Sequence, residues 1–438
     1  MLLSPFFTSQ GIFFQPNGSE NRKFISSLDR TVSSHYADVM GLSLPKEYQD
    51  LKEAVREFSE GEMTEELLKT CNDRHEFPFQ LYRKAGELGI IGAGFDETVG
   101  GSGFGLLGAA IAIEQMCRVS PGLGMAVSLG WIPGLIVDVN GNDRLRQRYV
   151  RPMVEGKAIS AICMTEPNHG SDIRRVDTTV DLVAQERGAV FLVNGTKIFT
   201  TNATYATFFT ILCQDGEDET SLIFDREIME NNPGELEITE MPGKMGQRMV
   251  SSCELTFKDF EIPKENVLGK RHEGLRTVIN FFNKSRVEIA SQGMGAAEYG
   301  LFKALSHARE REQFGRKILQ HQAIGHRLAQ MVTKVKQAQL LLYDTAWRYD
   351  QKRGGTWMER GLATCMVKYF IPELALDILK RAIDIFGGYG YFEEMGLEGA
   401  YRDTRITPIY EGTVEMQLDV ISHILMRIDM NYLTREFF

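Results

Sequence analysis

The hydrophobic pattern of this chain changes period twice, and that double switch restricts the fold more than any other feature. From Pro45 to about Glu155, charged and apolar residues interleave at helical spacing, most clearly through Tyr48 to Leu68 and Phe79 to Leu88. From Ile162 to about Pro263 the pattern becomes short runs rich in β-branched and aromatic residues, among them Ala189 to Val193, Lys197 to Thr201 and Thr207 to Leu212. Asn194-Gly195 lies between the first two runs and predicts a hairpin, because a type I′ turn needs positive φ at both central residues. Helical spacing returns from Leu275 onward, where Ile324, Leu328, Met331, Val335, Ala338 and Leu342 fall on one stripe, as in a bundle helix. The expected plan is mainly α with a central, mainly antiparallel β module and no internal repeat. Its boundaries are an N-terminal extension over 1–44, a helical domain over 45–161, a β domain over 162–272 and a helical bundle over 273–438.

With 438 residues, 43% of them hydrophobic, the chain can bury a large core in more than one domain. A net charge of −10 leaves no basic surplus to neutralise phosphates, which argues against a nucleic-acid partner. The six cysteines include no CxxC pair and no neighbouring histidine cluster, so neither a zinc site nor a disulfide framework is expected, and a reducing compartment fits best. The longest uncharged run, Val119 to Val137, is broken by Pro121 and Pro133 and reads as buried helix and loop, not a membrane span. The first forty residues resemble neither a secretory signal nor an Arg-rich transit peptide. A cytoplasmic location is expected, with the mitochondrial matrix as the eukaryotic alternative.

Four motifs carry chemistry. Ile409-Tyr410-Glu411-Gly412-Thr413, after Gly387-Gly388-Tyr389-Gly390-Tyr391 and Tyr401-Arg402-Asp403, offers one carboxylate beside a glycine that lets a ligand approach the backbone. Met164 to Asp172 combines hydroxyls, a proline bend and a glycine, a loop able to bond a polar planar ligand. Lys197 to Asn202 points Phe199 and Thr201 to one strand face, where an aromatic surface and a hydroxyl can meet a ring together. Arg309-Glu310-Arg311-Glu312-Gln313-Phe314-Gly315, with Gln322 beyond, places a guanidinium beside Phe-Gly. Singly, these read as a solvated turn, an ST-turn, a core strand and a solvated helix end.

Together, in this order and spacing, they resemble the acyl-CoA dehydrogenases over roughly Leu88 to Leu425. The resemblance implies an N-terminal helical domain, a β-barrel-like middle domain and a C-terminal four-helix bundle. Gly243 to Arg248 and Leu255 to Pro263 look like the strand pair closing the middle domain. FAD is the implied cofactor, held by Thr165, Ser171, Phe199, Thr201, Arg311, Phe314, Gln322, Gly388 and Thr413. Ser171 would serve the pyrophosphate, and Arg311 would reach it across a subunit interface, so a dimer or tetramer follows. Phe199 stands where most members carry Trp. Arg286, Asn283, Gly412 and Tyr410 match substrate positions, with Asn283 replacing the usual Asp. Asp384 stands near the pyrophosphate, where a carboxylate repels unless it faces elsewhere.

Glu411 matches the catalytic base. A branch of the family places its base near Ser285, which cannot do that work, so Glu411 has no rival. The implied reaction converts an acyl-CoA to its trans-2-enoyl-CoA in fatty-acid or organic-acid degradation. Glu411 would take the α-proton, with hydride passing to flavin N5. The backbone N–H of Glu411 and a ribityl hydroxyl would hold the carbonyl, and an electron-transferring flavoprotein would be the oxidant. The alternatives are an acyl-CoA oxidase or enoyl-CoA reductase on the same fold, or an idle assembly or scaffold protein. Monooxygenase relatives generally lack the base, so Glu411 argues against them.

Overall fold

The computed structural model describes residues 44–185, 188–351 and 357–434, so the expected N-terminal extension lies, but for Leu44, outside the described residues. The chain divides into Met1–Gln49 and Asp50–Phe438, and the second unit carries the whole sheet and every helix from Glu65 onward.

The first helices are α1 Lys46–Glu62, α2 Glu65–Arg74 and α3 Phe79–Glu87. Thr64 starts α2 by accepting a hydrogen bond from the Leu67 N–H, and Glu65 and Glu66 complement the positive helix end. Then come α4 Gly105–Val119, α5 Pro121–Leu129 and α6 Leu135–Asn140. Pro121 sits in the first turn of α5, where its missing N–H leaves no bond unmade, and every residue of α5 is buried. The uncharged run is therefore core helix, as its prolines predict.

The middle of the chain forms β1 Ser160–Cys163, β2 Thr179–Gln185, β3 Gly188–Thr201, β4 Phe208–Asp215, β5 Asp218–Asp225, β6 Glu235–Glu240 and β7 Ser252–Pro263. β2, β3, β7 and β6 follow one another antiparallel. β4 pairs antiparallel with β5 but parallel with β1 and, at one residue pair, with β2. The sheet curls round a core of Phe191, Val193, Phe209, Ile211, Phe224, Leu255, Phe257 and Phe260, with Phe209 stacked on Phe224 at 5.0 Å.

Two local expectations fail. Asn194-Gly195 makes no hairpin: β3 runs straight through it, with a bulge against β7. Gly195 has φ +143°, and a Cβ there would lie 2.6 Å from Thr178 Cα. The Asn194 side chain meanwhile accepts from the Asp259 N–H at 2.8 Å. The turn-forming pair thus serves a backbone crossing inside the sheet. Gly243 to Arg248 is a loop, and β6 is the true partner of β7. The loop docks on α10, Leu397–Thr404. The Gln247 N–H donates to Asp403 Oδ1 at 2.6 Å, and a Cβ on Gly246 would lie 2.3 Å from Arg402 O.

The C-terminal helices are α7 Gly274–Glu310, α8 Gln322–Asp350 and α9 Trp357–Phe386, with α11 Val414–Leu425 following α10. On α8 the predicted stripe is buried at Leu328, Met331, Val335, Ala338 and Leu342. The central helix, α7, is 37 residues long and packs on both α4 and α9. Its crossing with α4 is so close that a Cβ on Gly295 would lie 2.4 Å from Glu114 O.

Candidate active site

Glu411 lies in the loop between α10 and α11, in the left-handed conformation at φ 56°. Such a φ is uncommon for a residue with a Cβ and persists only where the surroundings impose it. Here three anchors do so. Gln417 Nε2 donates to the carbonyls of Glu411 at 3.1 Å and Gly412 at 3.0 Å, and Lys368 Nζ, from α9, donates to Gly412 O at 3.1 Å. Thr413 caps α11 by accepting from the Met416 N–H at 3.3 Å. Gly412 has φ +91°, and a Cβ there would lie 2.5 Å from Gln417 Nε2, so only glycine fits beneath the clamp. The Glu411 N–H makes no hydrogen bond among the described residues.

The Glu411 side chain turns toward α7. Ser285 Oγ donates to Glu411 Oε2 at 2.6 Å. One residue back, the Tyr410 hydroxyl donates to Gln292 Oε1. Ser285, Glu288 and Gln292 are spaced i, i+3, i+7 and so lie on one stripe of α7. Gln292 Nε2 donates to Ser128 Oγ at 2.8 Å, and Trp131 Nε1 donates to Glu288 Oε2 at 3.0 Å. Arg286 stacks its guanidinium 5.1 Å from the Phe282 ring and donates to Cys365 Sγ at 3.3 Å, while its buried Nε has no partner. Asn283 is buried in α7.

Burial sets the electrostatics. It pushes the Glu411 carboxyl above the ordinary range, against the Ser285 hydrogen bond and the charges of Lys368 and Arg286. Burial also lowers the Lys368 ammonium to about 7, opposed by Glu411 and reinforced by Arg286. The Glu288 carboxyl is raised to about 8 by burial, tempered by its bond from Trp131.

A second cluster forms on the sheet. The Ile198 N–H donates to Thr165 O at 2.8 Å, tying the Met164 to Asp172 loop to β3. Glu166 beneath it is buried and accepts from Lys197 Nζ at 2.7 Å, the Thr178 N–H at 2.8 Å and the Asp177 N–H at 2.5 Å. Burial alone would raise this carboxyl, but Lys197 and the hydrogen bonds hold it below the ordinary range. The β3–β7 register breaks between Lys197 and Thr200, where Phe199 adopts φ 55° and leaves its ring 59% exposed. Phe199 is exposed and Thr201 half-buried with Thr200 buried between them, because the irregularity after Lys197, itself buried, shifts the phase of the strand. Ser171 is exposed on the same loop.

A third cluster stands at the far end of α7. Arg311, the residue after that helix, lies 5.8 Å over the Tyr389 ring, and its guanidinium makes no ion pair among the described residues. It lines a cleft of about 470 Å³ with His307, Phe386, Gly387 and Gly388. Phe314, 94% exposed, and Gln322 lie on the surface. Asp384 is exposed and turned to Arg327, 3.8 Å away. Ser285 and Arg311 are separated by 26 residues, about 39 Å of helix at a rise of about 1.5 Å per residue. One chain therefore does not bring Arg311, Phe314 and Gln322 to Glu411.

Sequence reasoning missed Lys368, Gln417, Glu288, Gln292 and Trp131. Lys368 leaves a trace, a lone cation in the apolar run Cys365 to Ile371, and Glu288 and Gln292 are polar breaks in an apolar helix.

Comparison with known proteins spans most of the chain from residue 45 onward. The acyl-CoA dehydrogenase N-terminal domain profile matches residues 45–157, the middle domain 161–260 and the C-terminal domain 272–426. The chain is 31% identical over 389 residues to a short-chain specific acyl-CoA dehydrogenase of Clostridium acetobutylicum, covering 89% of this chain and 100% of that one. It is 31% identical over 378 residues to the caffeyl-CoA reductase-Etf complex subunit CarC of Acetobacterium woodii, covering 86% and 97%. The solved butyryl-CoA dehydrogenase of Megasphaera elsdenii superposes with a TM-score of 0.79 at 28% identity, covering 88% and 100%.

Proposed function

This chain belongs to the acyl-CoA dehydrogenase family, whose members are FAD-dependent oxidoreductases, and from that premise we propose that it dehydrogenates a short acyl-CoA at Cα–Cβ with Glu411 as the base. The observation that carries the reading is the conformation of Glu411: a strained backbone, an unpaired N–H and a carboxyl held by Ser285.

Glu411 takes the α-proton. Burial raises its pKa and so makes it a stronger base than a solvated carboxylate. Ser285 orients the accepting oxygen, and the Glu411 N–H is free to donate to the thioester carbonyl, where charge develops as the proton leaves. Lys368 and Gln417 keep that N–H aimed by fixing the carbonyls on either side of Gly412. The partnerless Nε of Arg286 supports a polar contact with the substrate.

A flavin, when bound, supplies the two-electron acceptor that side chains lack. The residues present fit it. Phe199 offers a bare ring face, Thr165 and Thr201 offer hydroxyls beside it, and Ser171 is free on the adjoining loop. Arg311, Phe314, Gln322 and Gly388 would come from a neighbouring copy, since about 39 Å of helix separates Arg311 from Ser285 beside Glu411. Thr413 would serve the cofactor after capping α11, and Asn283 with Arg286 the CoA. The Etf complex named for the Acetobacterium relative supports an electron-transferring flavoprotein as oxidant. That same relative is a reductase, which favours enoyl-CoA reduction as the second reading, because these residues serve both directions and the partner's potential selects one.

Anaerobic addition of butyryl-CoA to the FAD-loaded protein tests the proposal. Wild type should bleach, and Glu411→Gln should stay folded and yellow while bleaching slows by orders of magnitude. Near-normal bleaching by that variant removes Glu411 from its role.

A further inference from the structure

Two adjacent side chains tie the loop of the base to α7 at two levels. Glu411 reaches Ser285, and Tyr410 reaches Gln292 on the same stripe, about 10.5 Å further along the helix axis. The single peptide between Tyr410 and Glu411 contains the Glu411 N–H, the donor offered to the thioester carbonyl. That peptide is planar, so its direction is set by the torsions on either side of it. With the side chains on both sides anchored to one helix, the plane cannot turn far without breaking the bond at Ser285 or the bond at Gln292.

The Gln292 anchor is itself oriented from behind. Gln292 and Ser128 are both fully buried. Ser128 Oγ donates to Met125 O at 3.0 Å within α5, and the same oxygen accepts from Gln292 Nε2 at 2.8 Å. The amide is thereby fixed with Oε1 toward the Tyr410 hydroxyl; reversing it would leave the Tyr410 proton without this acceptor. The two anchors also differ in charge. Ser285 holds a carboxylate, and that bond weakens when Glu411 takes up a proton. The Tyr410–Gln292–Ser128 string is neutral, and burial, with the Glu411 charge, holds the Tyr410 phenol well above its ordinary value. It therefore keeps its grip while the proton moves, when charge on the thioester carbonyl is largest and an aimed N–H matters most.

We propose that Gln292, oriented by Ser128, is a positioning residue: through Tyr410 it fixes the peptide plane that aims the Glu411 N–H at the thioester carbonyl. This rests on the dehydrogenase reading of Glu411.

Two measurements on the FAD-loaded, full-length protein test it, using Gln292→Leu, Tyr410→Phe and the double variant. In steady-state turnover of butyryl-CoA, each single variant should lose about tenfold or more in kcat with KM within about threefold, because the lost aim acts on the transition state. The acid limb of the pH profile should stay at its wild-type position, since the carboxylate keeps Ser285. The double variant should be no slower than the slower single one, both ends of one bond having been removed. The second readout is the infrared carbonyl band of bound crotonyl-CoA, labelled with carbon-13 at the carbonyl. It should lie below the free value in wild type and move back toward it in each variant. If Gln292→Leu does not fold, Tyr410→Phe and Ser128→Ala carry the same readouts. Wild-type kcat in the folded variants, losses that multiply in the double variant, or an unmoved carbonyl band overturns the proposal and leaves the base assignment standing. Near-normal bleaching by Glu411→Gln overturns both.

Discussion

Ser285 Oγ donates to Glu411 Oε2 at 2.6 Å, and this bond joins the first third of α7 to the loop that carries the proposed base. It does two things at once. It aims the carboxylate, and it favours the ionised form against the burial that disfavours it.

Ser285→Ala should therefore raise the base's pKa further. The acid limb of the kcat/KM profile should move up by about one pH unit, equivalent to about 1.4 kcal/mol of lost stabilisation of the anion. A pH–rate profile from pH 5 to 9 with butyryl-CoA checks this, and an unmoved limb would detach Ser285 from the base.

Gly412→Ala should damage the site more than the fold. The new Cβ meets Gln417 Nε2, and φ +91° is strained for alanine. The expected loss is more than about 1 kcal/mol in stability, with a fall in kcat of a hundredfold or more as the Glu411 N–H swings away. Denaturant midpoints and turnover on one preparation separate the two effects.

Lys368→Met tests the buried ammonium. The folded pKa of about 7 lies below the unfolded value of 10.5, so the unfolded chain binds more protons between them. Stability linked to this group is fully present above about 10.5 and is lost as pH falls through about 7. The gap between wild type and variant should widen in favour of wild type from pH 7 to 9 in urea titrations.

Glu288→Gln has the opposite slope. Its carboxyl titrates near 8 when folded and at 4.5 when unfolded, so its linked stability is present below about 4.5 and lost as pH rises through about 8. The variant should lose less stability than wild type between pH 5 and 8 in thermal melts at matched ionic strength.

Arg311→Ala should lower flavin content at unchanged helical circular dichroism. Because Arg311 and Glu411 would reach one flavin from different chains, co-expressing Arg311→Ala with Glu411→Gln should restore turnover that neither variant shows alone. Absence of that rescue argues for sites built within single chains.

The sequence made legible what depends on local pattern. The α8 stripe and the buried Pro121 run have short-range signatures, and each is found where its residues predict. What it hid were partnerships between elements. Nothing near Lys368 in the chain announces that its ammonium ends on Gly412 O, or that Glu288 meets Trp131. Asn194-Gly195 shows the converse: a strong local turn signal was overruled because the strand needed a backbone without Cβ where it crosses Thr178. Gly246 is similar, a glycine read as part of a strand that instead lets a loop settle on Arg402.

The buried Glu166–Lys197 pair has a consequence for how ligand capture proceeds in time. A flexible loop would have to be frozen at each arrival, surrendering chain entropy and slowing the encounter. This one is tied to its strand by Glu166 and Lys197, so less chain entropy is left to surrender when a ligand docks there.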